Sequence, residues 1–124
     1  MRQAPQQQQT QKRVPQELTD GNFARAIRSN TFYVVDAWAS WCGPCRAMLP
    51  KFDELTAACA RKDVSFAKVH VADPASARVK DALKISSLPT FIIFKNGVEV
   101  ARKSGGDEVK SMAAWIDQFI GKPQ

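Results

Sequence analysis

Two cysteines three positions apart, Cys42 and Cys45, stand between a strongly apolar run at residues 32–38 and a segment with helical apolar spacing. Positions i and i+3 on the first turn of a helix share one face with Cβ atoms about 5–6 Å apart, so two sulfurs there can join after a small adjustment. The pair is suited to reversible dithiol/disulfide chemistry. A helix start leaves backbone N–H groups unpaired and carries the positive end of the dipole. Cys42 falls at or beside the N-cap, where both effects favour thiolate over thiol, so it is the expected nucleophile. Pro44 fits the first turn, where its missing N–H is not needed, and with Trp41 and Gly43 it completes the loop Trp41-Cys42-Gly43-Pro44-Cys45.

A C-x-x-C is also half of a zinc site. Tetrahedral zinc needs two further ligands, usually from a second closely spaced pair, and only Cys59 and His70 remain. They are not paired at ligand spacing. A C-x-x-C following a strand in an α/β pattern is the redox signature, so no metal is expected.

The elements that must position the two sulfurs are legible in outline. Residues 14–18 read as a short edge strand, where Pro15 is tolerated. Thr19 or Asp20 can cap a helix that places Phe23, Ala26 and Ile27 on one face. A buried central strand at 32–38 precedes a helix over 43–60 that Pro50 should kink. Residues 64–71 alternate as a strand, and Asp73-Pro74 leads into a helix through about Lys84. Right-handed crossover makes these strands parallel. Strands at 90–95 and 98–103 flank Asn96-Gly97, the strongest short hairpin signal, and form an antiparallel pair. After the break at Gly105-Gly106, Asp107 can cap a last helix whose apolar stripe is Val109, Met112, Ala113, Ile116 and Ile120. The expected fold class is α/β, a mixed sheet of about five strands flanked by about four helices.

With 124 residues and 44% hydrophobic content, the chain is one domain with enough core to need no disulfide staples. Three cysteines, an odd number with one C-x-x-C, suit a reducing compartment better than a secreted framework. No apolar stretch approaches transmembrane length and no signal-peptide core is visible, so a soluble, cytoplasmic protein is expected. Residues 1–13 are Gln-rich, acid-free and poor in large apolar side chains; they read as a disordered basic arm preceding a domain at 14–124. The alternative is an organelle-targeting remnant, which would place the protein in a mitochondrion or another organelle. The net charge is +6, and three of those charges sit on Arg2, Lys12 and Arg13. The modest remainder, with no basic-aromatic stripe, argues against dedicated nucleic-acid binding and favours encounters with acidic protein surfaces.

Asp36 interrupts the apolar run six residues before Cys42. If buried, it must be neutral or paired, and if it lies at a sheet edge it is an ordinary solvated acid.

Around these residues the chain resembles the thioredoxin family. The resemblance runs from about 18 to 120 and rests on Trp41-Cys42-Gly43-Pro44-Cys45, Val35-Asp36-Ala37-Trp38-Ala39, Pro50, Leu88-Pro89-Thr90 and Phe94-Lys95-Asn96-Gly97, which match the family's landmarks in order. The Gly-Pro insert is similar to that of its reducing members, whereas isomerases and periplasmic oxidants of the same fold usually carry histidine there. The resemblance implies a thioredoxin fold and a monomeric reductase of protein disulfides. Cys42 would attack the substrate, and Cys45 would resolve the mixed disulfide. Asp36 would be the buried acid that exchanges the proton of Cys45 through water, with Lys68 as its partner. Pro89 would be a cis-proline facing the site. Trp41, Pro44, Ile85, Leu88, Pro89 and Gly105 would form an apolar docking platform, with Trp38 packed beneath the motif. No bound cofactor is implied; electrons would come from a thioredoxin reductase using NADPH and flavin, or by a ferredoxin-linked route. Two alternatives share the fold: a secretory thiol oxidase or isomerase, and a non-catalytic docking or assembly subunit.

One departure stands out. Where the family commonly reads K-V-D-V-D, this chain has Lys68-Val69-His70-Val71-Ala72, so the acid that usually tethers the indole at Trp38 is absent. His70 reads as an ordinary surface residue, the alternative being a group that alters the local pH response, and Cys59 as a small structural one, open to regulatory oxidation only if exposed.

Overall fold

A continuous apolar run such as residues 32–38 needs cover on both faces of the strand it forms. The computed structural model, which describes residues 13–122, provides that cover. In chain order the described residues form β1 (Gln16–Leu18), α1 (Phe23–Ala26), β2 (Phe32–Trp38), α2 (Gly43–Ala58), β3 (Val64–His70), a 3-10 turn at Pro74–Ser76, α3 (Ala77–Leu83), β4 (Thr90–Lys95), β5 (Val98–Ser104) and α4 (Val109–Ile120). The sheet order is β1-β3-β2-β4-β5, with β1, β3 and β2 parallel and β4 and β5 antiparallel. β2 therefore lies in the middle.

Alternate residues of β2 enter different cores. Tyr33, Val35 and Ala37 pack with Phe23 and Ile27 near α1 and with Val79 and Leu83 of α3. Phe32 and Val34 pack with Met48, Phe52 and Leu55 of α2 and with Met112, Ile116 and Ile120 of α4. Phe52 is fully buried there, and truncating such a side chain to alanine typically costs about 3–5 kcal/mol. Asp36 and Trp38 follow Val34 on that second face, toward the end of the strand that leads to Cys42.

Several boundaries differ from the sequence reading. The strand expected at 14–18 begins at Gln16. The first helix has Asn22 at its N-cap, whose side-chain oxygen accepts from Thr19 N–H at 2.8 Å. Asp20 serves a different helix: its carboxylate accepts from the N–H groups of Val79 at 2.9 Å and Arg78 at 3.2 Å, at the start of α3. α2 stops at Ala58 rather than 60. Beyond its end the Arg13 guanidinium donates to the carbonyls of Cys59 at 2.5 Å and Val64 at 2.6 Å, tying the segment after the helix to the start of β3. Pro50 lies inside α2, leaving the Arg46 carbonyl without its usual donor. The arm expected at residues 1–13 lies outside the described residues, apart from Arg13.

Asp107 does not cap α4. Its carboxylate accepts from the adjacent Glu108 N–H at 2.8 Å, and Glu108 occupies the N-cap. The other end of α4 is held by Arg61, which donates to the carbonyls of Ile120 and Gly121 while paired with Asp63. The hairpin turn has Asn96 and Gly97 at φ 52° and 83°, the mirror-image turn that matches strand twist. Any side chain at Gly97 would also run into Arg28.

Because Asp20 satisfies two N–H groups of a helix almost sixty residues away, Asp20→Ala should destabilise the fold by about 1 kcal/mol. That corresponds to about 4 °C in melting temperature for a domain of this size. Calorimetry of the variant beside the native chain checks this; identical melting temperatures would deny the cap.

Candidate active site

The site is built where β2 ends and α2 begins. Cys42 is the N-cap of α2, with extended backbone at φ −92° and ψ 113°, and its sulfur accepts from Cys45 N–H at 3.3 Å. Pro44 sits in the first turn, where no N–H is required. Cys42 and Cys45 are joined as a disulfide with Cα atoms 5.2 Å apart, the oxidised state of the pair. The two sulfurs are not equivalent. Cys42 is 7% exposed and Cys45 not at all, so only the N-cap sulfur borders solvent.

Beside Cys42 opens a cleft of about 350 Å³ lined by Trp41, Val71, Lys80, Ile85 and Leu88, among others. Trp41 projects from its rim, 70% exposed. Pro89 and Gly105 do not line the cleft. Pro89 is buried behind it after a cis peptide bond from Leu88, and Gly105 N–H donates to the Pro89 carbonyl at 2.8 Å. A larger depression of about 670 Å³ opens at the opposite ends of the strands, around Thr31, Lys62 and Lys122, away from both sulfurs. Chemistry rather than size locates the site. Among the described residues, no three His, Cys, Asp or Glu side chains lie close enough together to hold a metal.

Behind the disulfide the sheet carries an unusual quartet. Asp36 is opposite Lys68 and Trp38 is opposite His70 across β2 and β3. Asp36 is fully buried, so it is not a solvated edge acid, and neither carboxylate oxygen has a hydrogen-bond partner among the described residues. Burial drives its pKa from 3.8 up to about 7, partly opposed by the nearby positive charge of Lys68. The Lys68 ammonium does not close on Asp36. It pairs with Glu17 at 3.5 Å and lies 5.7 Å from the centre of the Trp38 ring. His70 is no ordinary surface residue: it is half-buried, with its ring 4.6 Å from that of Trp38. The Trp38 indole nitrogen is buried without a partner among the described residues, consistent with Ala72 standing where a tethering acid is usual.

The sequence model of the family described as thioredoxin matches residues 14–118. The chain belongs to the thioredoxin family. It is 42% identical to the thioredoxin of Alicyclobacillus acidocaldarius over 83% of this chain and 95% of that protein. It is 35% identical to thioredoxin C-3 of Corynebacterium nephridii over 89% and 74% of the two chains. Among solved structures, Chlamydomonas reinhardtii thioredoxin f2 superposes with a TM-score of 0.76 at 28% identity, covering 89% of this chain and 99% of that one. With its Cys42–Cys45 pair, this thioredoxin-family chain is a protein-disulfide reductase, acting on disulfide-containing proteins and itself recharged by a reductase. The oxidase, isomerase and docking-subunit alternatives are not favoured.

Of the residues singled out from sequence, the fold brings Trp41, Ile85 and Leu88 to the cleft beside Cys42, and Asp36, Lys68 and Trp38 to the sheet behind it. Pro44 and Gly43 are exposed on the first turn. Val71, Ala72, Lys80, Ser86 and Ser87 also line the cleft and were not anticipated. The available signal was topological, because parallel β2 and β3 end side by side and whatever follows β3 must meet the loop that follows β2.

Asp36 also makes stability depend on pH. Its folded pKa of about 7 exceeds the value of 3.8 expected unfolded, so the unfolded chain ionises first and stability falls as pH rises between the two. Asp36→Asn removes that loss. The variant should gain stability progressively above about pH 4 and level off above about pH 7, with a gain of at most about 4 kcal/mol. Urea unfolding of both chains from pH 4 to 8 measures it, and a pH-independent difference would contradict the buried, raised carboxyl.

Proposed function

We propose that this protein is a general, monomeric reductant of protein disulfides in the cytoplasm, with Cys42 as nucleophile and Cys45 as resolving thiol. The asymmetry of the two sulfurs carries this reading: one caps α2 beside an open apolar cleft, and the other is wholly enclosed one turn on. In the reduced protein the Cys42 thiolate attacks a substrate disulfide, forming a mixed disulfide and releasing one substrate thiolate. Cys45 then loses its proton and attacks the Cys42 sulfur, expelling the second substrate thiolate and leaving the Cys42–Cys45 disulfide. Two electrons pass to the substrate.

Asp36 is the group proposed to take the proton of Cys45, because a carboxyl poised near pH 7 gives and receives protons at comparable rates there. Lys68 tempers it electrostatically. Trp41, Ile85 and Leu88 offer the apolar surface for an extended substrate, with Pro44 exposed beside them, while Pro89 and Gly105 support the cleft without lining it. A flavoprotein thioredoxin reductase drawing on NADPH returns the electrons, since the chain has no dinucleotide-binding fingerprint of its own. The cytoplasmic assignment is supported by cysteine usage, three cysteines with one C-x-x-C, and the monomer by resemblance to the family.

Cys42→Ser should abolish disulfide reduction, whereas Cys45→Ser should still attack and then accumulate a mixed disulfide with the substrate. Mass spectrometry of each variant incubated with oxidised insulin distinguishes them. Equal trapping through Cys45 in the Cys42 variant would reverse the assignment of roles.

A further inference from the structure

Trp38 is the side chain through which the sheet supports the two sulfurs, since it packs with Ala39, Cys42, Cys45 and Leu88. A buried indole is ordinarily fixed in part by a hydrogen bond from its nitrogen. Here that nitrogen has no partner among the described residues, nor does the buried Nδ1 of His70. On the β3 side the indole is met by the imidazole of His70, with centroids 4.6 Å apart and planes tilted by 53°. The register makes the contact structural rather than incidental, because Trp38 and His70 are direct partners across parallel β2 and β3. The charged and titratable groups around this pair are Lys68 on β3, 5.7 Å from the indole centre, Asp36 on β2 opposite Lys68, Glu17 on β1, which draws Lys68 to itself, and the two cysteines at the start of α2.

We propose that His70 is a positioning residue for disulfide exchange. Its ring holds the Trp38 indole by contact, and the indole in turn supports the two sulfurs. His70 forms and breaks no bond with substrate; it acts through Trp38. The rate of exchange therefore depends on the ring of His70 as well as on the carboxyl of Asp36. The inference rests on the exchange reaction of Cys42 and Cys45 for its rate consequence, but not for the ring contact itself.

The test uses the full chain, with His70→Phe keeping a ring without charge and His70→Ala removing both. Nuclear magnetic resonance follows the Trp38 indole N–H, identified by its loss in Trp38→Phe. Single-turnover reduction of a small aromatic disulfide by each dithiol-reduced chain is measured at one neutral pH. The Trp38 resonance should shift in His70→Ala and return near its native position in His70→Phe. Exchange should be about threefold slower in His70→Ala and near the native rate in His70→Phe, the size of an aromatic pair contact. If His70→Ala does not fold, His70→Leu, apolar but without a ring, decides. A Trp38 resonance indifferent to loss of the ring, or a ringless chain with the native rate, overturns the proposal. A native chain that reduces no disulfide would instead overturn the functional reading, leaving the resonance experiment to judge the contact.

Discussion

The functional end of the molecule depends on one constraint: β2 must run into α2 with only residues 39–42 between them. That short connection places the first turn of a helix directly above the last buried positions of the central strand. The same junction sets which sulfur meets solvent, which is enclosed, and which two β2 side chains lie beneath them. It holds because β2 is covered on both faces, by α1 and α3 on one side and by α2 and α4 on the other. A strand free to slip by one residue would exchange its two faces and lose the alignment entirely.

The same packing makes the site energetically costly. A carboxyl with no hydrogen-bond partner among the described residues and no exposed surface opposes folding whenever it ionises. Lys68 stands across the ladder but directs its ammonium to Glu17 at the sheet's edge, so its positive charge acts on Asp36 without neutralising it. A closed ion pair would hold the carboxylate ionised through the neutral range and end its usefulness as a proton acceptor and donor. The loose arrangement keeps the pKa near 7 at the expense of stability, a compromise typical of sites whose chemistry needs a strained group.

Much of this was legible in the sequence because it is local. The disulfide pair, the central strand, the hairpin at Asn96-Gly97 and the stripe of α4 follow from spacing and turn chemistry within a few residues. What escaped is long-range. Asp20 reads as a cap for the helix beside it and instead serves α3; Arg13 reads as tail and instead satisfies carbonyls beyond α2; Asp107 lies one residue too early to cap α4. The apolar surroundings of Asp36 point to its burial, but its lack of a partner among the described residues depends on where Lys68 points. The contact of His70 with Trp38 is not legible, because the period of a strand shows which face a residue occupies and not which aromatic lies beside it.

The order of strands has a further consequence, for how the chain is made. Among the described residues β1 is the earliest strand, yet it pairs there with β3 alone, about fifty residues later, and β3 is in turn held by β2. Until residue 70 has left the ribosome, β1 has no neighbour in the sheet, and its docking awaits the closure of a long loop. Meanwhile the two cysteines emerge ahead of the strand that will carry Lys68 and His70. The nascent thiols thus exist for a time without the electrostatic surroundings that later tune them.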